Sequence, residues 1–140
     1  SKLFKTVYVF EPDPVSFYCL VNNIQEDNVI KMQCAVGDGK TLLELIPIHS
    51  PMSRQVTKSK NAIIPSIAID NIPLSHCDLI QLDVENHEIY ALYGAKKTIE
   101  KFRPVVILEN GETNKILDFM NSKNYEIVDK ESADVIWGPK

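Results

Sequence analysis

Short apolar runs alternate along this chain with stretches in which apolar residues recur every three or four positions. The run "TVYVF", residues 6–10, is β-branched and aromatic and reads as a buried strand stopped by "EPDP". Asp13 can then cap a helix, and Pro14 suits the first turn because it has no N–H to leave unbonded. Phe17, Leu20, Val21 and Ile24 follow at i, i+3, i+4 and i+7, the stripe of an amphipathic helix. "VIKMQCAV", 29–36, predicts the next strand. "GDGK" supplies turn residues, and "TLLELIPI", 41–48, predicts a hairpin partner for that strand. Residues 49–62 are polar without periodicity and read as an exposed loop, with "IIPSIAID" a short extended segment after them.

The second half repeats the alternation. "DLIQLDV", 78–84, predicts a strand. Residues 87–102 predict one helix, with Ile89, Leu92, Ile99 and Phe102 inward and Lys96, Lys97, Glu100 and Lys101 outward. "PVVILE", 104–109, is almost wholly apolar, as a strand covered on both faces would be. Residues 112–123 predict a helix with Ile116, Leu117 and Met120 on one side. "YEIVD" and "DVIWG" predict a closing antiparallel pair. Strands alternating with helices imply an α/β protein with a mostly parallel sheet. Ligands of such sheets bind beyond the carboxyl ends of the strands. That rule gathers Glu11, residues 35–38, residues 83–88 and residues 109–111 on one candidate rim.

Composition narrows the class. A chain of 140 residues is expected to form a single domain, residues 1–140, with enough core to need no disulfide or metal. Its 44% hydrophobic and 24% charged content is that of a globular protein. Net charge is −4 with Lys and Arg scattered, which gives no footprint for nucleic acid. No apolar run is long enough for a membrane span, and "SKLFKTVYVF" lacks a signal-peptide layout. Cys19, Cys34 and Cys77 are isolated, odd in number and without a CxxC, so reduced thiols in a cytoplasmic protein are expected.

Three stretches, in order, carry a family resemblance. "VYVFEPDPVSFYCLVNNI", "QCAVGDG" and "LIQLDVENHEIYALYGAKKTIEKFRPVVILE" resemble the FkbM-type S-adenosylmethionine-dependent methyltransferases, over about residues 7–130. "FEPDP" stands for that family's F-E-P-x-P, "IAIDNIP" for its extended "LD" segment, "QLDVENHE" for its acidic motif, and "LYGA" and "RP" for the helix and its end. The resemblance implies a Rossmann-like methyltransferase fold: a mostly parallel sheet, helices on both faces and a C-terminal antiparallel pair. It implies S-adenosylmethionine as cofactor and methyl transfer to a hydroxyl of a small molecule of sugar or polyketide type. The alternative is a catalytically inactive module of the same fold that binds another ligand or oligomerises.

By the same resemblance Glu11 takes the cofactor's ribose diol, since one carboxylate accepts from two hydroxyls. Ala35 and Val36 line the adenine edge, against the plainer reading of strand-end packing. Asp38, in Gly-Asp-Gly, is expected from turn chemistry alone. Asp83 is a cofactor-binding candidate near the sulfonium. Methyl transfer to oxygen needs alignment and a base, and Asp83 or His87 is the candidate catalytic residue. His87 has the ordinary titration range for a base. Asp83, Glu85, His87 and Glu88 are also plausible metal ligands, but their spacing fits no fixed pattern. The plainest reading of Glu85, Asn86 and Glu88 is a helix N-terminus, with the acids favoured by the dipole and Asn86 as cap.

Two departures stand out. Asn86 occupies the glycine position of the acidic motif; asparagine tolerates left-handed geometry, so the turn is expected to survive. The family's first strand and glycine-rich loop are not found: Gly37, Gly39, Gly94, Gly111 and Gly138 belong to no such loop. The chain is thus expected to be either N-terminally truncated or a short form. A short form would pair the "VYVF" and "LIQLDV" strands directly or borrow an element from a second copy.

Overall fold

The "FEPDP" segment ends its strand and starts its helix as its residue types require. The computed structural model describes residues 3–48 and 50–140, and the side chains of all these except 48 and 50–53. In it β1 (Val7–Phe10) leads into α1 (Pro14–Asn23), and β2 (Val29–Met32) returns parallel to β1. Asp13 is the N-cap, its carboxylate accepting from the Val15 and Ser16 N–H groups at 2.9 Å each, with Pro14 opening the helix. Phe17, Leu20 and Ile24 are half-buried, as their spacing predicts, whereas Val21 is exposed and no residue of α1 is fully buried.

The described chain divides into two compact units, residues up to 35 with 41–66, and residues 36–40 with 67–140. The first holds β1, α1, β2 and an antiparallel hairpin of β4 (Glu44–Ile48) and β5 (Ser50–Thr57). Its apolar centre is Ala35, Leu43 and Val56, with Leu45 and Ile64 packed against them.

Two expectations change here. The predicted strand 29–36 is broken: β2 ends at Met32, and β3 (Ala35–Val36) is a separate strand that pairs with β6 (Ser66–Ile67). The hairpin partner of 41–48 is therefore not 29–36. It is β5, inside the polar segment expected to be a loop. His49, the first residue of that segment, lies outside the described residues. Val56 is the buried residue of β5 among those whose side chains are described, so its sequence looks like a loop's.

The second unit is built on a four-stranded sheet in the order β7-β8-β10-β9. β7 (Leu79–Leu82) and β8 (Val105–Glu109) are parallel; β10 (Asp134–Pro139) runs antiparallel to both β8 and β9 (Tyr125–Glu131). The β9–β10 pair is the one predicted. The mostly parallel sheet is not found: the described sheets are small and mixed. Burial alternates along β8, with Val106 and Leu108 fully buried, Ile107 half-buried and Val105 exposed. One face of this strand is covered, not both. Within their own units β1 pairs with β2 and β7 with β8.

The predicted helix 87–102 is two helices, α2 (Glu88–Gly94) and α3 (Lys96–Phe102), joined at Ala95. The reason lies far away in sequence. Asp70, in the 3-10 turn Ile69–Asn71, accepts from the Lys97 and Thr98 N–H groups and the Thr98 hydroxyl at 2.8–3.0 Å. Its carboxylate thus caps α3 from outside, where the helix's own N-cap position, Ala95, has no side chain to do so. Leu92 and Ile99 are buried and Lys96, Lys97, Glu100 and Lys101 exposed, so the predicted faces hold despite the break. α4 (Asn114–Ser122) buries Ile116 and Met120 as predicted, and Phe119 besides.

Candidate active site

The parallel register of the second unit sets the site. Leu82 lies opposite Leu108, so Asp83, the next residue beyond β7, comes level with Glu109 at the end of β8. The nearby Asp83 carboxylate disfavours the ionised form of Glu109. The hydrogen bond to Asp83 is the main cause, followed by its charge; Glu109 is pushed up to about 7, with Glu85 and Glu88 adding their repulsion. Across the antiparallel ladder Asp134 lies opposite Glu109, which sets a third acid on the same row.

The loop after Asp83 is shaped by two successive left-handed residues, Glu85 at φ 49° and Asn86 at φ 68°. Asparagine thus keeps the backbone shape that glycine serves in the family motif, as expected. Glu88 folds back to close this turn. Its Oε1 accepts from the Val84 N–H at 3.3 Å, and it is 6% exposed. Burial pushes the Glu88 carboxyl above the usual range, and backbone N–H groups of the loop oppose that shift.

Asn86 is not the helix cap. His87 holds that position, with no side-chain capping bond, and its ring is buried against Tyr90 at 4.8 Å between centroids. Tyr90, Tyr93 and Phe119 continue the aromatic contacts edge to face from α2 onto α4. Among the described residues no group of three or more His, Cys, Asp or Glu is arranged to hold a metal ion. The set Asp83, Glu85, His87 and Glu88 is therefore not gathered into a metal centre.

In the first unit Glu11 follows β1. Its backbone N–H donates to the Met32 carbonyl, and its Oε1 accepts from the Asp13 N–H at 2.7 Å. Burial raises the Glu11 carboxyl above the usual range; the Asp13 N–H lowers it and the Asp13 charge raises it. Asp13 is itself 6% exposed and meets the Arg54 Nε at 3.2 Å. Glu11 therefore has one oxygen held by the chain, and no described residue bonds the other. The second oxygen can accept a further hydrogen bond.

Ala35 and Val36 are buried, and Ala35 belongs to the small apolar centre of its unit. Asp38 accepts from the Lys40 N–H at 3.1 Å, the turn chemistry expected of it. The segment 36–40 is tied to α2 through glycine: a Cβ at Gly94 would overlap the Gly37 carbonyl, so the glycine of "LYGA" permits a close backbone approach.

Sequence reasoning placed Glu109 on the rim without a role and missed Asp134 and Asp70. Register brings the first two beside Asp83. Asp70 had a visible signal, the Asp of "IAIDNIP", but its use as a cap depends on a helix 27 residues away.

Comparison with known proteins gives first the class and then the family. The chain is similar to a solved crystal structure described as the methyltransferase FkbM from Methylobacillus flagellatus KT, with a TM-score of 0.66 and 19% identity. The likeness covers 96% of this chain and 36% of that one, so the chain spans little over a third of that protein's length. At this identity the match shows the fold, a mixed α/β methyltransferase-type fold. Residues 3–127 match the family model of the methyltransferase FkbM domain, and the chain belongs to that family. No curated protein matches it. No helix among the described residues is long and apolar enough to cross a membrane.

Proposed function

We propose that this domain serves methyl transfer from S-adenosylmethionine to a hydroxyl of a small molecule, of sugar or polyketide type, in the cytoplasm. The observation that carries the reading is the register that sets Asp83 level with Glu109, beyond the carboxyl ends of two parallel strands, in a chain of the FkbM family.

An acceptor hydroxyl must lose its proton as its oxygen gains a methyl group. A carboxyl raised to about 7, as Glu109 is, is matched to take that proton, because it is part ionised at working pH yet basic enough to hold what it accepts. Asp83 is the acid nearest the acidic loop, and Glu109 shares the load. His87, buried against Tyr90, orients the start of α2 in this reading and stands as the second candidate base.

The cofactor would bring a sulfonium-bound methyl group, which needs little beyond alignment to transfer. Glu11 fits the ribose, having one oxygen anchored on the Asp13 N–H and the other open to a hydroxyl among described neighbours. Ala35 and Val36 would give the adenine edge an apolar strand end. The partner is a small molecule, with neither nucleic acid nor membrane required, and a homo-oligomer is compatible with the exposed apolar residues Val15, Tyr18 and Ile30.

Calorimetry with S-adenosylhomocysteine tests the cofactor part. Binding is expected, and Glu11→Gln should weaken it by about 1–3 kcal/mol, as for a lost charged hydrogen-bond partner. No heat at millimolar ligand removes the reading for this chain. Binding that persists while no hydroxylated acceptor is ever methylated points instead to the inactive module.

A further inference from the structure

Arg54 belongs to a strand, β5, whose sequence reads as a loop, and its guanidinium ends on a carboxylate that is already in use. The Asp13 Oδ1 receives two N–H groups of α1, and its Oδ2 meets the Arg54 Nε at 3.2 Å. The Asp13 backbone N–H is the group that holds the Glu11 Oε1. A chain of contacts therefore runs from β5 through Asp13 to the Glu11 carboxylate, all within one unit of the molecule.

We propose that Arg54 is a positioning residue for Glu11: by clamping the Asp13 carboxylate it fixes the turn 11–13 and balances the negative charge beside the Glu11 carboxylate. The inference rests on the cofactor reading of Glu11 given above. Helix capping alone does not require the arginine, because an aspartate caps through its own oxygens. What the arginine adds is charge. Glu11 and Asp13 are two acids within three residues at a half-buried strand end, and Asp13 repels the ionised form of Glu11. The form that accepts from a diol is the ionised one.

The charged groups around Glu11 are few. Asp13 shares its turn, Arg54 comes from β5 onto Asp13, and Lys31 of β2 lies opposite Val9, two residues before Glu11. With Arg54 gone, Asp13 keeps its charge and loses its counter-ion. Glu11 then ionises at higher pH, and its carboxylate loses the fixed backbone that aims it.

The test follows the Glu11 titration by carbon NMR of glutamate-labelled protein, without ligand, in the native chain and in Arg54→Gln, Arg54→Lys and Asp13→Asn. Arg54→Gln is expected to raise the Glu11 midpoint by roughly half a pH unit, the scale of a nearby screened charge. Arg54→Lys should restore it, and Asp13→Asn should lower it while still capping α1. The same proteins are titrated with S-adenosylhomocysteine. Arg54→Gln should then bind about threefold more weakly on the acid side of the midpoint, which is the same half unit expressed as an affinity ratio.

A Glu11 midpoint unmoved in a folded Arg54→Gln overturns the proposal. Should that variant not fold, a midpoint that fails to fall in Asp13→Asn overturns it instead. A merely structural arginine would lower the melting temperature and leave both midpoints in place. If Glu11→Gln leaves ligand binding unchanged while the midpoints move as stated, the cofactor reading fails and the Arg54–Asp13–Glu11 coupling stands.

Discussion

At the scale of single residues, acids do three different jobs that composition cannot tell apart. Asp13 and Asp70 are spent on helix ends, Glu88 on closing a turn, and Asp83 on raising its neighbour Glu109. The raised Glu109 makes a prediction about pH dependence. The folded-state pKa of Glu109 is about 7, raised from 4.5. A raised carboxyl contributes stability that is fully present below the unfolded value and is lost as pH rises through the folded one. Urea midpoints should therefore fall between about pH 4.5 and 7 more steeply in the native chain than in Glu109→Gln. Equal slopes in the two proteins would dissolve the pair. Both groups are largely solvated, so the difference is small.

Asp70→Ala removes the three bonds that cap α3 and should cost about 1–2 kcal/mol in urea unfolding. Asp70→Asn should recover most of that, since its amide oxygen still accepts. Both aspartates were visible as types in the sequence. Asp13 was legible as a cap because its helix begins at the next residue. Asp70 was not, because nothing local says which N–H groups its carboxylate will meet.

Elements show where periodicity is sufficient and where it is not. The stripe from Ile89 to Phe102 placed the correct residues inward but hid the break at Ala95, since two short helices separated by one residue carry nearly the same apolar pattern as one. The split reflects a tertiary event, the capture of the α3 N-terminus by Asp70. Strand β5 was hidden for the opposite reason, its residues being too polar to announce a pairing that the β4 backbone provides. Gly94 belongs to this scale too. Gly94→Ala would drive a methyl group into the Gly37 carbonyl, and the strain should cost about 1–3 kcal/mol. Circular dichroism should show the helix content retained while the melting temperature drops. An unchanged melting temperature would mean that α2 and the 36–40 turn separate freely.

The whole molecule joins the fold to the proposed chemistry through linkage. A ligand that binds only the folded chain raises its unfolding free energy by about 2.7 kcal/mol at a hundredfold excess over Kd. S-adenosylhomocysteine should thus raise the melting temperature of the native chain, and raise it less in Glu11→Gln. An equal rise in both would detach Glu11 from the site.

The order of motifs determined the family, and the apolar patterns determined most strands, the helix faces and the cap at Asp13. These are local: each depends on residues within a turn or two of one another, where periodicity and side-chain chemistry act directly. The tertiary structure alone decided the mixed direction of the sheets, the pairing of β4 with β5, the break in the long helix, and the meeting of Asp83 with Glu109. Each of those depends on which distant backbone lies alongside. Register between β7 and β8 brings two carboxyl groups together across 26 residues of sequence, and only that proximity raises Glu109.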